Sequence, residues 1–412
     1  MIKDKKLAKN FIWNTIGSTL ASFNSLFFLI AITRINGMQD AGIFTITFAT
    51  ASIFYIVAVY SGRNCQITDI KGKIKDKEYI ISRICTCIIM AILVIIYAIL
   101  NNYDSYKNSV LIFLCLWRAT EAFSDVLYGI MQKNEKLYKV GISQIIKSTL
   151  GLIAFIIVDV QTHNLVYACI TLCISSILTI IFYDFPQAIN LISKDEPIQI
   201  KNVWDIYKKE FFLFANAFLT MYLLNAPKYA IEKYLTEDIQ AVFGIILMPA
   251  SILPLFAQFV VAPIINKLTQ LYKQGNILQM RKIKKKSMYF IVGFGIIAMT
   301  LGYTIGIPIL NFIYDVDLNP YRLHLVMILF AYIFYAMGYV ETMILTIYRK
   351  IKEQFGVYVI VTITIFVSSY YLVGELGVMG ASISCVISMI LYYILLAIIN
   401  KYETSKQKLI SR

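Results

Sequence analysis

FLCLWRATEAFSDVLYGIMQ, residues 113–132, sits inside an apolar run yet carries Arg118, Glu121 and Asp125. A formal charge at the centre of a bilayer costs about 2.5–3.5 kcal/mol on insertion scales and more in some calculations. On an α-helix, residues three and four apart share a face. Arg118, Glu121, Asp125, Gly129 and Gln132 therefore form one polar stripe. Such a stripe cannot face acyl chains; it must face protein or water. The segment thus reads as one helix of a larger membrane bundle, provided the rest of the chain supplies the bundle.

It does. Of 412 residues, 59% are hydrophobic and 15% charged, against about 25% charged in soluble proteins. Apolar runs long enough to cross about 30 Å of hydrocarbon recur along the whole length. Twelve spans are expected, at 11–33, 41–60, 80–100, 109–130, 140–160, 165–185, 211–230, 240–263, 288–312, 323–347, 355–373 and 377–399. A β-barrel is excluded, because these runs are twice a strand's length and do not alternate. The fold class is an all-α integral membrane protein.

The net charge of +14 is a topology signal. With the N-terminus inside, the cytoplasmic pieces 1–10, 61–79, 131–139, 186–210, 264–287, 348–354 and 400–412 hold 30 of the 38 Lys and Arg residues. External connections hold only Arg34, Lys107, Lys228, Lys233 and Arg322, while Arg83, Arg118 and Lys147 lie within spans. This asymmetry places both termini in the cytoplasm. Basic tracts such as RKIKKK (281–286) keep their loops inside and attract anionic lipid rather than nucleic acid. The first apolar run is too long for a signal-peptide core and lacks a small-residue cleavage site, so it is expected to stay as a span.

Several functions lack the residues they need. No hydrophilic segment has room for an ATPase, there is no G-x-x-x-x-G-K-[ST] loop, and external connections are too short for an outward catalytic domain. His163 and His324 are far apart. The seven Cys residues lack Cys-x-x-Cys spacing and read as small buried apolar groups. No enzyme, metal site or cofactor is expected; a transporter is.

Twelve spans around a central linker containing SKDEPIQIKN (193–202) suggest two six-helix lobes, 1–200 and 201–412. An even number per lobe makes the repeat parallel, a pseudo-twofold about the membrane normal with a central cleft. Laying the chain from residue 9 on the chain from residue 209 brings Asn14 near Asn216, Arg34 near Lys228, and 41–44 onto 241–244.

The opening NFIWNTIGSTLASFNSLFFLIAITRINGMQDAGIFTITFATAS (10–52) has Asn-x-x-Gly, a small-residue helix, Thr-Arg and Ala-Gly-x-Phe. NAPKYAIEKYLTEDIQAVFGI (225–245) and the basic loop after APIINKLTQLYKQGN (262–276) follow. In these features the chain resembles bacterial polysaccharide repeat-unit flippases, the O-antigen and capsule type of the multidrug/oligosaccharidyl-lipid/polysaccharide exporter superfamily. Lys228 stands where that family commonly has Arg. The resemblance implies movement of an undecaprenyl-diphosphate-linked oligosaccharide from the inner to the outer leaflet of the bacterial plasma membrane by alternating access. It implies membrane lipids as surroundings, and a polysaccharide polymerase and glycosyltransferases as partners. Lipid II flippases and cation-coupled multidrug exporters share the architecture and are the alternatives.

A diphosphate crossing a low-dielectric core needs cations, since an unpaired anion there faces a penalty of tens of kcal/mol by Born solvation, on the order of what ε ≈ 4 implies. Arg118 and Lys147 are the candidates for a central phosphate site, with Arg34 and Lys228 at the outer rim and Asn14 and Asn225 as polar lining. Two bland readings stand beside this: Arg118 could simply neutralise Glu121, and Arg34 and Lys228 could snorkel to head groups. Glu121, Asp125 and Glu341 are the intramembrane carboxylates that could couple transport to H+ or Na+.

Overall fold

The computed structural model describes residues 2–69, 72–192 and 198–410. The first five residues of the linker stretch at 193–202 lie outside the described residues. Among those described, the chain is helical throughout, without strands. The first helices in order are α1 (Ile2–Ile35), α2 (Met38–Val59), α3 (Gly62–Thr68), α4 (Asp76–Asn101), α5 (Ser105–Lys133) and α6 (Leu137–Thr162). Then come α7 (Leu165–Thr179), α8 (Phe185–Ile189), α9 (Ile200–Tyr234), α10 (Glu237–Leu247), α11 (Ile252–Val261) and α12 (Ile265–Lys273). The chain finishes with α13 (Ile277–Leu301), α14 (Ile307–Tyr314), α15 (Arg322–Ile347), α16 (Ile351–Leu376) and α17 (Val378–Ile410).

Each of the twelve expected spans falls on one of these helices or on two joined in line. Among the described residues ten segments are both long and apolar enough to cross a membrane. The two that fall short are α5 and α9, although they have 29 and 35 residues. A 29-residue helix is about 44 Å long at 1.5 Å per residue, so length is not what they lack. Their apolarity is diluted by Arg118, Glu121 and Asp125 in α5, and by Asn216, Asn225 and Lys228 in α9.

The helices are amphipathic in the sense a membrane requires. On α4, Ile88, Ile92, Ile95 and Ile99 recur at three- and four-residue spacing and stay exposed, while Arg83, Thr86, Met90 and Val94 are buried on the opposite face. Lipid replaces water as the outer solvent, so the apolar face points out. Prolines shape two helices. Pro186 and Pro308 each follow a π-helical turn, Ile180–Asp184 and Gly302–Gly306, because proline's ring clashes with the carbonyl four residues earlier and widens the turn.

The chain divides into two compact units, Met1–Phe218 and Leu219–Arg412. The division falls inside α9 and not at 200/201, because the first turns of α9 dock on the first unit. Asn202 donates to both Glu78 oxygens at 2.9 and 3.0 Å, Tyr207 donates to the Ser82 carbonyl at 3.0 Å, and Phe214 stacks on Tyr60 at 4.2 Å. The first unit's core holds Phe28, Phe44, Trp117 and Phe155, with Phe28 touching Phe155 at 4.9 Å and meeting Trp117 edge-on at 6.1 Å. In the second unit Tyr335, Tyr358 and Tyr392 are buried together. The Tyr392 hydroxyl sits 2.9 Å from that of Thr342 and 3.0 Å from that of Tyr358.

Candidate functional site

The stripe on α5 faces the interior of the first unit and is met there by cations from two preceding helices. Arg83 on α4 donates from Nη2 to Asp125 Oδ2 at 2.9 Å and from Nη1 to the Ala58 carbonyl at 2.7 Å. Arg63 on α3 reaches the other Asp125 oxygen at 3.3 Å and donates twice to Gln132 Oε1, at 3.1 and 2.7 Å. Asp125 is therefore engaged on both oxygens. Gly129 permits this approach: the buried Gln66 amide of α3 occupies the place a β-carbon at 129 would take.

About two turns nearer the start of α5, Arg118 donates from Nη1 to Glu121 Oε2 at 2.5 Å and from Nη2 to Ser52 Oγ at 3.4 Å. Its guanidinium lies against the rings of Trp117 at 4.6 Å, Phe48 at 4.7 Å and Tyr55 at 5.6 Å, a cation–π cradle. Its Nε has no partner among the described residues. This pair is not sealed off, since Arg118 keeps 17% and Glu121 27% of their side-chain surface open.

Lys147 on α6 tells a different story. Its Nζ is 2.7 Å from Asp184 Oδ2, also donates to Ser124 Oγ, and lies over the Tyr128 ring at 5.3 Å. Asp184 is presented by the π-turn that precedes Pro186. The lysine side chain is 10% exposed and the aspartate 0%. A cation so enclosed and so matched is committed to its own aspartate, so Lys147 is not poised to meet a travelling anion. The cluster as a whole holds four cations (Arg63, Arg83, Arg118, Lys147) and three acids (Glu121, Asp125, Asp184). One positive charge is left over.

The remaining expected residues lie elsewhere. Asn14, half-buried on α1, sits where α1 and α6 touch backbone to backbone through Gly17 and Gly141. Arg34 is exposed in the last turn of α1. Asn225 is buried on α9 and turns its amide back to the Met221 carbonyl at 2.9 Å. Lys228, one turn on, is partly buried and makes no ion pair or hydrogen bond among the described residues. Glu341, on α15 in the second unit, is 1% exposed and accepts from Lys284 at 2.6 Å and from Asn400 at 2.6 Å.

Sequence reasoning missed Arg63, Asp184 and the role of Arg83. Arg83 was visible as a charge within a span; Arg63 and Asp184 lie at span ends, where charge is ordinary. Among the described residues no three His, Cys, Asp or Glu side chains gather as a metal would need.

No family model matches the chain. It is 26% identical over 400 residues to the capsular polysaccharide biosynthesis protein CapF of Staphylococcus aureus, across 94% of this chain and 98% of that one. Among solved structures it matches the lipid II flippase MurJ in an inward closed conformation, with a TM-score of 0.74 and 17% identity over 97% of this chain and 90% of that one. It also matches an inward-facing multidrug resistance MATE family transporter, with a TM-score of 0.71 and 12% identity over 98% and 100% of the two chains. The chain therefore shares the fold of these two solved membrane proteins along nearly its whole length.

Proposed function

We propose that the chain is a flippase carrying an undecaprenyl-diphosphate-linked oligosaccharide from the cytoplasmic to the outer leaflet of a bacterial plasma membrane, with both termini cytoplasmic. The observation that carries this reading is the likeness to a capsular polysaccharide protein along nearly the whole of both chains. Arg118 supplies the chemistry. A guanidinium binds phosphate oxygens in a two-pronged fashion, and Arg118 has open surface and one competing carboxylate. A diphosphate displaces Glu121 from it. The freed carboxylate then takes a proton or Na+, which couples substrate binding to an ion gradient without a nucleotide. Lys228, without an acid partner among the described residues, is the cation we assign to phosphate in the second unit, and Arg34 at the outer end of α1 is a further one in the first. Asn14 and Asn225 line the sugar's path, while Asp125 and Glu341 are the alternative ion carriers. Lys147 serves by holding Asp184.

The test is complementation in a strain lacking its own flippase, with a polysaccharide polymerase and glycosyltransferases of the same glycan supplied. Arg118→Ala should insert normally, abolish surface glycan and leave lipid-linked repeat units accumulating inside. Resistance to a drug panel should not change on expression. Normal glycan output from Arg118→Ala would overturn the assigned phosphate contact, and broad drug resistance would favour a multidrug exporter.

A further inference from the structure

The second unit contains a basic cavity beside Glu341, to which the reading above assigns no ligand. Helical spacing puts Ile277, Met280, Arg281 and Lys284 on one face of α13. That face meets Ile344 and Tyr348 at the end of α15, and Asn400, Lys401, Thr404 and Ser405 on α17. Together they line an open cavity of about 280 Å³. Small-molecule sites occupy roughly 300–1,000 Å³, so this one has room for a phosphate ester or diphosphate but none to spare for an oligosaccharide.

The charges in it do not cancel. Glu341 takes up Lys284, at 2.6 Å, and is also fixed by the Asn400 amide. The nearest other acid on α17, Glu403, is 3.0 Å from Lys350, which also binds Glu353 at 3.0 Å. Arg281 and Lys401 are exposed and make no ion pair or hydrogen bond among the described residues. Arg281 and Lys401 therefore flank a cavity that the apolar, buried Ile277 and Ile344 also line. A polar phosphate joined to something greasy matches both kinds of lining.

We propose that this cavity binds a phosphate ester, held by Arg281 and Lys401 with Lys284 shared between the ligand and Glu341. Charge-assisted hydrogen bonds from guanidinium and ammonium to phosphate oxygens are the strong ones. The source is either a polyprenyl diphosphate or the headgroup of an anionic phospholipid. The site rests on its own geometry and stands whether or not the chain moves a glycan.

The test uses the full chain, purified in phospholipid-free detergent, with inorganic pyrophosphate as the probe in titration calorimetry. Binding should weaken at least tenfold in the double variant Arg281→Ala/Lys401→Ala. It should be kept in Arg281→Lys/Lys401→Arg and in the neighbouring-charge control Lys285→Ala/Lys286→Ala. Repeating the titration in nanodiscs separates the sources. Loss of pyrophosphate binding in phosphatidylglycerol discs, but not in phosphatidylcholine discs, identifies a phospholipid headgroup as occupant. Binding kept in both identifies the diphosphate carrier. Pyrophosphate bound equally by the wild type and the double alanine variant, or not bound by the wild type at all, overturns the proposal.

Discussion

Lys147 and Asp184 are the sharpest place to separate holding the fold together from handling substrate. Replacing Lys147 by Met leaves Asp184, which is 0% exposed, as an unmatched charge whose second oxygen already lacks a partner. Breaking a buried pair from one side costs about 3–5 kcal/mol, while replacing both members by apolar groups of similar volume is often neutral or stabilising. With the lysine 10% open, the lower half of that range, about 3–4 kcal/mol, is the expectation for Lys147→Met. Asp184→Leu alone strands the cation and should cost a similar amount. The double variant Lys147→Met/Asp184→Leu should recover most of the loss. The assay is a double-mutant cycle on unfolding in detergent, run beside surface-glycan output in cells. Recovery of both stability and output in the double variant assigns the pair to structure. Recovery of stability without output would refute the argument, for it would mean that the lysine's charge is needed by the substrate after all. Equal stability of wild type and Lys147→Met would refute the pairing itself.

Lys228→Met should leave stability unchanged or raised, because it removes a cation with no acid to match it, yet lower glycan output at least tenfold; a clear loss of thermal stability in detergent would reveal a partner and sink the phosphate role. Arg118→Lys should restore only part of the output lost in Arg118→Ala, since an ammonium lacks the planar fork and stacks less well on Trp117 and Phe48; full rescue by lysine in the same complementation assay would show that charge alone suffices. Gly129→Ala should destabilise by about 1–3 kcal/mol through overpacking against Gln66, and Gln66→Ala in the same chain should relieve most of that, read as the unfolding midpoint; an alanine tolerated without change would show that α3 is free to move.

What the sequence disclosed and what it withheld divide along a physical line. The stripe on α5 was legible because helical geometry alone decides which residues of one helix share a face, and Arg118, Glu121, Asp125 and Gln132 do share it. Their partners were not legible. Arg63 lies 62 residues before Asp125 and Arg83 lies 42 before it, and nothing in local spacing says which distant cation will meet which acid. Arg63 was further hidden by position, since a stretch read as a basic loop folds into the short α3. Asp184 stood at the end of a span, where a charge is ordinary, and only the π-turn before Pro186 carries it to Lys147. The packing of the start of α9 was hidden for a related reason. The polar residues 200–210 read as linker because polarity marks solvent, yet Asn202 and Tyr207 spend that polarity on Glu78 and Ser82.

This bears on what intramembrane charge is for in this chain. Buried cations invite the conclusion that they await an anion, but a cation in oil must be satisfied at every moment of the cycle, including when no substrate is bound. The protein meets that need with its own acids, and the closeness of each match measures how far a residue is withdrawn from binding. Asp125 is clamped by two guanidiniums and Lys147 by a sealed aspartate; neither can be released without exposing a bare charge. Arg118 differs in kind. Its one carboxylate partner is itself the more open of the two. An arriving diphosphate can therefore replace Glu121 at little cost, provided the displaced carboxylate gains a proton or a cation. On the proposed reading the residue that binds and the residue that couples are two ends of one ion pair, so the coupling ion and the substrate favour each other's binding through a single contact on α5.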